Sequence, residues 1–426
     1  MIAVFLLLGT AVYFYTHAGT NLTFHSSWTE TDRRQMKEIV VVLDRLGRDQ
    51  RREQFDDLMN SFSFFDWESW PICFKGVYGR YLASDDYTCH YPVIALTART
   101  GNASCMGEGN WTLLHLACGL GKRELARHLM DKGADVNLRT MEGGGHHDAP
   151  INWLVGGGID TSQSLDADTA LYLMEELASH GADLNVRAME MIAPFEMLCG
   201  LSSYPQEEQQ RMIFKLMELG ADVSTPFESQ GKKRSPLIFP VLFGHAEVVR
   251  RICELGVDAG EGYDCLPPLF YVNPSRRPEN QVKIARTLLY HGANVNASFL
   301  NCVPGVVGDT GQTPLSFLCA SFNEVKLSDE KIRRCFLDLL TLYLERKADV
   351  NQASERGMTP LMYLFGKGDM RKYQILRLEL ARKLLEHGAD PSLKDEKGKT
   401  VADLILENKE GGEEILKKLP GLRPGK

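Results

Sequence analysis

Apolar side chains recur at helical spacing along most of the chain. Leu125, Leu129 and Met130, for example, have the spacing of a single helical face. Stretches of this kind end repeatedly in a short phrase close to Gly-Ala-Asp, which begins at Gly133, Gly181, Gly220, Gly256, Gly292, Lys347 and Gly388. Glycine readily takes the left-handed conformation just beyond a helix, so the pattern predicts that helices end at these positions.

A second apolar segment precedes each of these helices. The segments are WTLLHLAC from Trp111, DAPINWLV from Asp148, IAPFEMLC from Ile192, RSPLIFPV from Arg234, LPPLFYVN from Leu266, QTPLSFLC from Gln312 and MTPLMYLF from Met358, and a half-copy, KTVADLIL, follows from Lys399. Proline suits the first helical turn, and a preceding Thr can cap the exposed amides. Each copy is therefore predicted to be a pair of helices.

These copies resemble the ankyrin repeat family, whose signature is a T-P-L-H-x-A opening, a helix pair and a glycine turn at a period of about 33 residues. The resemblance covers residues 111 to about 418 and implies an all-α repeat solenoid of about seven to eight ankyrin-type helix-turn-helix units with hairpin loops and insertions. We assign the array to residues 107–418 and a C-terminal tail to residues 419–426. Lys347 replaces the turn glycine, so its turn is expected to be strained or differently closed.

The region before the array, residues 21–106, is predicted to form a helical and partly irregular cap. Helical spacing is present at Met36, Ile39, Val40 and Leu43 and again at Phe55, Leu58, Met59 and Phe62. Two helices here would cover the apolar end of the stack, as terminal units of repeat proteins must.

Residues 1–20 form an apolar segment that is either a membrane anchor or a signal peptide. A helix over residues 2–20 would just span a bilayer, whereas Thr16-His17-Ala18 would suit signal cleavage. Basic residues follow the segment and none precedes it, which favours an uncleaved anchor with cytoplasmic repeats. The alternative is a secreted or periplasmic ankyrin repeat protein.

Composition argues against a nucleic-acid partner. The formal net charge is −8 and the sequence has no basic stripe that could neutralise phosphates. Among the ten cysteines, Cys118, Cys199 and Cys319 occupy the same position of their copies as Val155, Val241 and Phe365 do in theirs, which predicts buried core thiols. A disulfide among Cys73, Cys89 and Cys105 remains open.

No catalytic, cofactor or metal motif is complete. His146-His147-Asp148 has no further ligand in sight, and Gly156-Gly157-Gly158 lacks the Lys-Ser/Thr of a phosphate loop. We therefore expect no catalytic residue, metal, cofactor or small-molecule substrate. An enzyme whose site lies in the N-terminal region or the insertions is the alternative from another class.

The resemblance implies a non-catalytic module that binds a protein partner on its concave and hairpin face. The family's partner-binding positions fall at the hairpin tips on Arg187, Met189, Glu190, Glu355, Arg356, Lys394, Glu396 and Lys397, and on the first helices at Leu120, Leu201, Leu242 and Phe243. Phe243 beside Leu242 is the most anchor-like pair. The column Leu116, Trp153, Met197, Phe239, Tyr271, Phe317, Tyr363 and Leu404 is instead expected to pack between successive repeats.

The N-terminal segment yields a first prediction. Fractionation should place the full-length chain in the membrane pellet with residues 2–15 still attached, and protease added from outside should spare the repeats. A mature chain starting near Gly19 in a soluble extracytoplasmic fraction would instead establish a signal peptide.

Overall fold

The computed structural model describes residues 113–119, 121, 123–131, 134–139, 148–156, 165–188, 192–200, 204–229, 232–262, 266–298, 310–323, 325–366, 373–407 and 411–422. The described residues fall into two compact units, one ending at Val223 and the other beginning at Ser224. Each is built from paired helices. The cap region over 21–106 and the segment 1–20 lie outside the described residues.

The first unit contains three pairs of helices among its described residues. The first helices of the pairs are α1 (Leu113–Gly119), α3 (Pro150–Val155) and α5 (Pro194–Gly200), and the second helices are α2 (Arg123–Asp131), α4 (Ala167–Ser179) and α6 (Gln206–Glu218). First helices pack on first helices and second helices on second helices, so that equivalent faces lie side by side. We call the first helices inner and the second helices outer.

The second unit repeats this arrangement. It begins with the antiparallel hairpin of β1 (Phe227–Ser229) and β2 (Lys232–Arg234). The inner elements are α7 (Ile238–Phe243), a 3₁₀ helix (Pro268–Tyr271), α10 (Pro314–Ala320), α12 (Pro360–Phe365) and α14 (Val401–Glu407). The outer helices are α8 (Ala246–Glu254), α9 (Pro278–Tyr290), α11 (Glu330–Glu345), α13 (Gln374–Glu386) and α15 (Gly412–Lys418). Two further 3₁₀ turns, Ser321–Asn323 and Pro420–Leu422, follow α10 and α15.

The inner helices α3, α5, α10 and α12 begin at the prolines that the sequence predicted, and their first turns are capped, whereas α7 begins at Ile238, two residues after Pro236. In α10 the Thr313 hydroxyl accepts a hydrogen bond from the Ser316 amide at 3.2 Å, and the Ser316 hydroxyl accepts one from the Thr313 amide at 2.7 Å. Where alanine replaces threonine, only the second half of this exchange is possible. The Asn152 side chain accepts from the Ala149 amide at 2.9 Å, and Glu196 accepts from the Ala193 amide at 2.8 Å.

The outer helices end in the left-handed turns that the glycines predicted. Gly181, Gly220, Gly256, Gly292 and Gly388 all have φ between 84° and 99°. In the turn at Gly388, the Gly388 amide donates to the Leu385 carbonyl at 3.0 Å and the Ala389 amide donates to the Leu384 carbonyl at 3.0 Å. These two hydrogen bonds form a Schellman cap, which satisfies carbonyls that the helix end would leave unpaired.

Lys347 closes its turn in the same way as the glycines. Its φ is 60°, and the amides of Lys347 and Ala348 donate to Leu344 and Tyr343, each at 2.9 Å. Of the two outcomes expected for this turn, strain or a different closure, the structure shows the first. The backbone is held in a conformation that a side chain disfavours, as expected of a strained turn.

Asparagine side chains connect one turn to the next along the array. Asn351 donates from Nδ2 to the Gly388 carbonyl at 2.9 Å and accepts at Oδ1 from the Asp390 amide at 2.7 Å. Asn137 makes the same two bonds to Gly181 and Asp183. Each bridge fixes the distance and register between two successive turns.

The described architecture is an all-α repeat fold, as the sequence predicted. Its strands are limited, in these residues, to the short hairpin and an isolated bridge between Ala188 and Ile192. Within the same residues no helix has the length and apolarity needed to cross a bilayer.

Lys347 provides a second prediction. Lys347→Gly should raise the free energy of unfolding by about 1 kcal/mol, because glycine takes the left-handed conformation without the steric cost of a Cβ. Chemical denaturation measures the change.

The reciprocal control is Gly388→Ala. A Cβ at Gly388 would have no heavy atom within 4 Å, so any loss of stability there reports the backbone conformation alone. We expect a loss of about 1 kcal/mol. If Lys347→Gly destabilises the protein, Lys347 contributes something beyond turn closure and the prediction is wrong.

Candidate protein-binding face

The inner elements of the second unit from α7 to α12 contain no charged residue, whereas α14 carries the exposed carboxylates of Asp403 and Glu407. No charged residue occurs within α7, α10, α12 or the 3₁₀ helix Pro268–Tyr271. Charged side chains are concentrated on the outer helices and turns. In the first unit, for example, Arg211 pairs with Asp168 at 2.9 Å and Lys215 pairs with Glu175 at 2.8 Å, joining α6 to α4. The two sides of a helix pair therefore differ sharply in chemistry.

The apolar column that was expected to pack between successive repeats is only partly buried. Met197, Phe239 and Tyr271 are buried, which confirms the packing expected of them. Trp153, Phe317, Tyr363 and Leu404 keep part of their surface open to solvent, although Phe317 also packs edge-to-face on Phe270 at 5.7 Å between ring centroids. The side chain of Leu116 lies outside the described residues. The column thus combines packing with an open apolar surface.

The exposure expected of Leu242 is wrong. Leu242 is 6% exposed, because it lies on the side of α7 that faces the core. Phe243 is half-buried instead. Its ring stacks near Phe239 with centroids 6.2 Å apart, and the guanidinium carbon of Arg276 lies 4.8 Å from its centroid. A role of this pair in binding stays a prediction, and Phe243 is the member with accessible surface.

Arg187 is engaged within the chain. Its guanidinium is 3.2 Å from the carboxylate of Glu196, which is buried at the start of α5, and Arg139 donates to the Arg187 carbonyl at 2.6 Å. Burial raises the pKa of Glu196, and the charge of Arg187 partly offsets this effect. Arg187 thus stabilises a buried carboxylate, a partnership that the tip position had not predicted.

The remaining predicted tip residues in the second unit are exposed: Glu355, Arg356, Lys394, Glu396 and Lys397. Neighbouring hairpins join through backbone hydrogen bonds, from the Glu355 amide to the Thr310 carbonyl at 2.8 Å and from the Glu396 amide to the Arg356 carbonyl at 2.9 Å. The tips therefore form a charged rim beside the inner helices. Leu120, Met189, Glu190 and Leu201 lie outside the described residues.

Two buried ionisable groups lie at the start of the first unit. His115 Nε2 is 3.0 Å from the Asp148 carbonyl, so the imidazole links α1 to the segment that leads into α3. Burial lowers the pKa of His115 to about 4, and burial raises the pKa of Asp148 well above its ordinary value, with the charge of Arg139 opposing it. Both groups lie within the packing of successive repeats, and the contact is a structural one.

A buried arginine in α13 was not foreseen from the sequence. Arg377 has no exposed surface, and its guanidinium carbon lies 5.0 Å from the centroid of the Phe322 ring. Phe322 follows α10 and also meets Phe336 of α11 edge-to-face at 5.8 Å. The aromatic ring provides part of the environment in which this cation is buried.

The cysteine column is a core feature. Cys118, Cys199 and Cys319 are buried free thiols, and Val155, Val241 and Phe365 are buried at the equivalent positions, which confirms the prediction. Burial raises the pKa of Cys319 to about 12. Among the described residues, no group of His, Cys, Asp and Glu side chains has the arrangement needed to hold a metal ion.

Comparison with known proteins also indicates ankyrin repeats. Residues 109–141 match the family model of the ankyrin repeat. An ankyrin repeat protein of Acanthamoeba polyphaga mimivirus is 28% identical to this chain over 157 residues. That match covers 34% of this chain and 21% of the viral protein, so it spans about a fifth of the length of the relative.

Helix pairs with capped inner helices, left-handed glycine turns and asparagine bridges define a helical repeat protein. The matched repeat and the similarity to the viral protein support an ankyrin repeat protein. Repeats of this family serve as protein-interaction modules.

The core thiols provide a third prediction. Cys118, Cys199 and Cys319 should resist alkylation in the native protein and react after denaturation, because burial withholds both access and the reactive thiolate. Peptide mapping by mass spectrometry distinguishes them from the other cysteines. Rapid labelling of these three in the native protein would contradict their place in the core.

Proposed function

We propose that this chain is a non-catalytic module that binds a protein partner across its inner helices and hairpin tips. The observation that carries the proposal is the uncharged surface of the inner helices α10 and α12, on which Phe317 and Tyr363 remain partly open. Aromatic side chains with accessible area are typical anchors of protein interfaces, whereas an uncharged surface offers no acid or base for catalysis.

The charged hairpin tips complement this surface. Glu355, Arg356, Lys394, Glu396 and Lys397 carry both signs, so they favour a polar rim around an apolar centre. Rim contacts contribute little affinity individually, but they orient the partner. The inner aromatic residues are therefore expected to contribute most of the binding free energy.

We further propose that residues 2–20 tether the module to a membrane and that the repeats are cytoplasmic. The apolar length of the segment and the basic residues after it support this topology. A cleaved signal, with an exported or periplasmic array, is the competing arrangement. The partner would accordingly lie close to a membrane.

A fourth prediction tests the binding face. A photo-crosslinking residue placed at Phe317 or Tyr363 in the full chain, expressed in its native cells, should yield a discrete covalent adduct with a protein. The same residue at Tyr290, which is 78% exposed on the outer helix α9, serves as the matched control and should yield none.

The comparison of the two inner positions with Tyr290 tests the proposal. Adducts from Tyr290 alone would assign binding to the outer helices, and the absence of adducts from both inner positions would contradict binding by the inner face. Equal, heterogeneous adducts at all three positions would show unspecific contact and would also contradict the proposal.

A further inference from the structure

The hairpin at the start of the second unit carries three consecutive basic residues, Lys232, Lys233 and Arg234, which form the whole of β2. In the register of the hairpin, Lys233 lies opposite Glu228 and Arg234 lies opposite Phe227. Residues that are directly opposite in an antiparallel pair share a face, so Arg234 lies on the same face as the buried side chain of Phe227. Arg234 therefore has an apolar neighbour across the hairpin, whereas Lys233 has an acidic one.

The guanidinium of Arg234 is not satisfied within the described part of the chain. Its Nε is buried and has no hydrogen-bond partner there, and no ion pair joins Arg234 to a carboxylate among the same residues. A buried N–H group without an acceptor destabilises the folded state, so such groups are rare in native proteins. The stability of the hairpin therefore does not account for an arginine at this position.

Arg234 lies where the hairpin meets the first uncharged inner helix of the second unit. Ser235 and Leu237, which follow it, are buried, and α7 begins at Ile238. Arg234 itself is half-buried, so packing restricts its side chain while part of its surface stays open. A side chain that is already restricted loses little conformational entropy when it binds a ligand.

The chemistry of the guanidinium determines which ligand it suits. Its N–H donors form a planar fork that matches the two oxygens of a carboxylate, and it cannot accept a hydrogen bond. Lys232 and Lys233 add positive charge beside it. A long polyanion such as nucleic acid is disfavoured, because the chain as a whole carries a formal net charge of −8. A short acidic stretch of protein fits these properties.

We infer that Arg234 binds a carboxylate of the protein partner and anchors an acidic segment of that partner along the hairpin of β1 and β2, beside α7. This inference rests on the proposed function and adds to it the charge of the partner and the residue that recognises it. Binding supplies the guanidinium with an acceptor that the described part of the chain does not provide.

The first test measures stability and needs no partner. Arg234→Met removes the guanidinium and keeps an unbranched apolar stem, so the melting temperature of the full chain should be no lower than that of the wild type. Arg251→Met is the matched control in the same repeat, because Arg251 is exposed on the outer helix α8, 3.7 Å from Glu254. A fall of several degrees in Arg234→Met alone would show that Arg234 stabilises the fold, and it would overturn the inference.

The second test selects ligands for the full chain. A phage-displayed library of random 12-residue peptides is depleted on Arg234→Met and then selected on the wild type, and we expect the enriched peptides to be rich in Asp and Glu. The best peptide should bind Arg234→Met about tenfold more weakly than the wild type, and Arg251→Met less than about twofold more weakly. Equal weakening by both variants, enriched peptides without carboxylates, or no enrichment would overturn the inference.

A double-mutant cycle identifies the contact. Each Asp or Glu of the best peptide is replaced in turn by Asn or Gln, and for one of them the loss of affinity should be large on the wild type and absent on Arg234→Met. Additive losses at every position would overturn the inference. Displacement of the peptide by an equal concentration of a 12-nucleotide oligothymidylate would also overturn it, because negative charge alone would then suffice.

Failure of this inference is distinguishable from failure of the proposed function. Crosslinking at Phe317 and Tyr363 tests binding by the inner face without reference to Arg234. Adducts at those positions, together with ligands that bind Arg234→Met as well as the wild type, would remove the acidic segment and leave the proposed function standing.

Discussion

Where a turn carries an asparagine, its side-chain amide binds two backbone groups of the following turn and fixes the register of the two repeats. Asn137 joins its turn to that of Gly181 and Asp183, and Asn351 joins its turn to that of Gly388. A single helix pair cannot bury its own apolar face, so its stability comes from stacking on its neighbours. Each hydrogen bond contributes only about 1 kcal/mol net, but the two together allow one register. The bridges reinforce the packing of inner on inner and outer on outer helices.

Polar side chains of the inner helices are likewise used in hydrogen bonds to the backbone. In α10, Thr313 and Ser316 satisfy each other's backbone amides, and Glu196 in α5 satisfies Ala193 and pairs with Arg187. These contacts are directed along the chain toward the helix start. On α10 and α12 the aromatic residues that stay partly open are Phe317 and Tyr363, whereas the neighbouring turns carry exposed charges.

The sequence predicted those features that depend on residues close together in the chain. The helix ends at Gly181 and Gly388 follow from the conformational freedom of glycine, and the buried thiols of Cys118 and Cys319 follow from their place in a periodic column. The prediction was wrong where a residue's exposure depends on tertiary packing. Leu242 is buried because the core reaches the last turn of α7, and spacing along the chain does not reveal how far the core extends.

Long-range partnerships were also missed for a physical reason. Phe322 and Arg377 are far apart in sequence, so no local pattern signals that an aromatic ring would lie over a buried guanidinium. The binding positions carried over from the family depend in the same way on which surfaces remain open after packing. Half-burial of Phe317 and Tyr363 identifies such a surface. A column that contains both buried and partly open positions looks uniformly apolar in the sequence.

The bridging asparagine is not present in every turn, since Ser224, Gly260 and Ser392 stand at its position. Gly260 occupies the asparagine position of its repeat, and a Cβ there would lie 3.6 Å from the Gly292 carbonyl, the group that an asparagine would reach. Glycine has no side chain to donate or accept, so the turns at Gly260 and Gly292 are coupled without that pair of hydrogen bonds. In a nearest-neighbour description of repeat proteins, the free energy of unfolding is the sum of a contribution from each repeat and one from each interface between repeats. Without the two hydrogen bonds, the contribution of this interface is lower by roughly 1–3 kcal/mol. The hydrogen-bond contribution is therefore uneven along the second unit, and between the turns at Gly260 and Gly292 the packing of α8 on α9 takes its place.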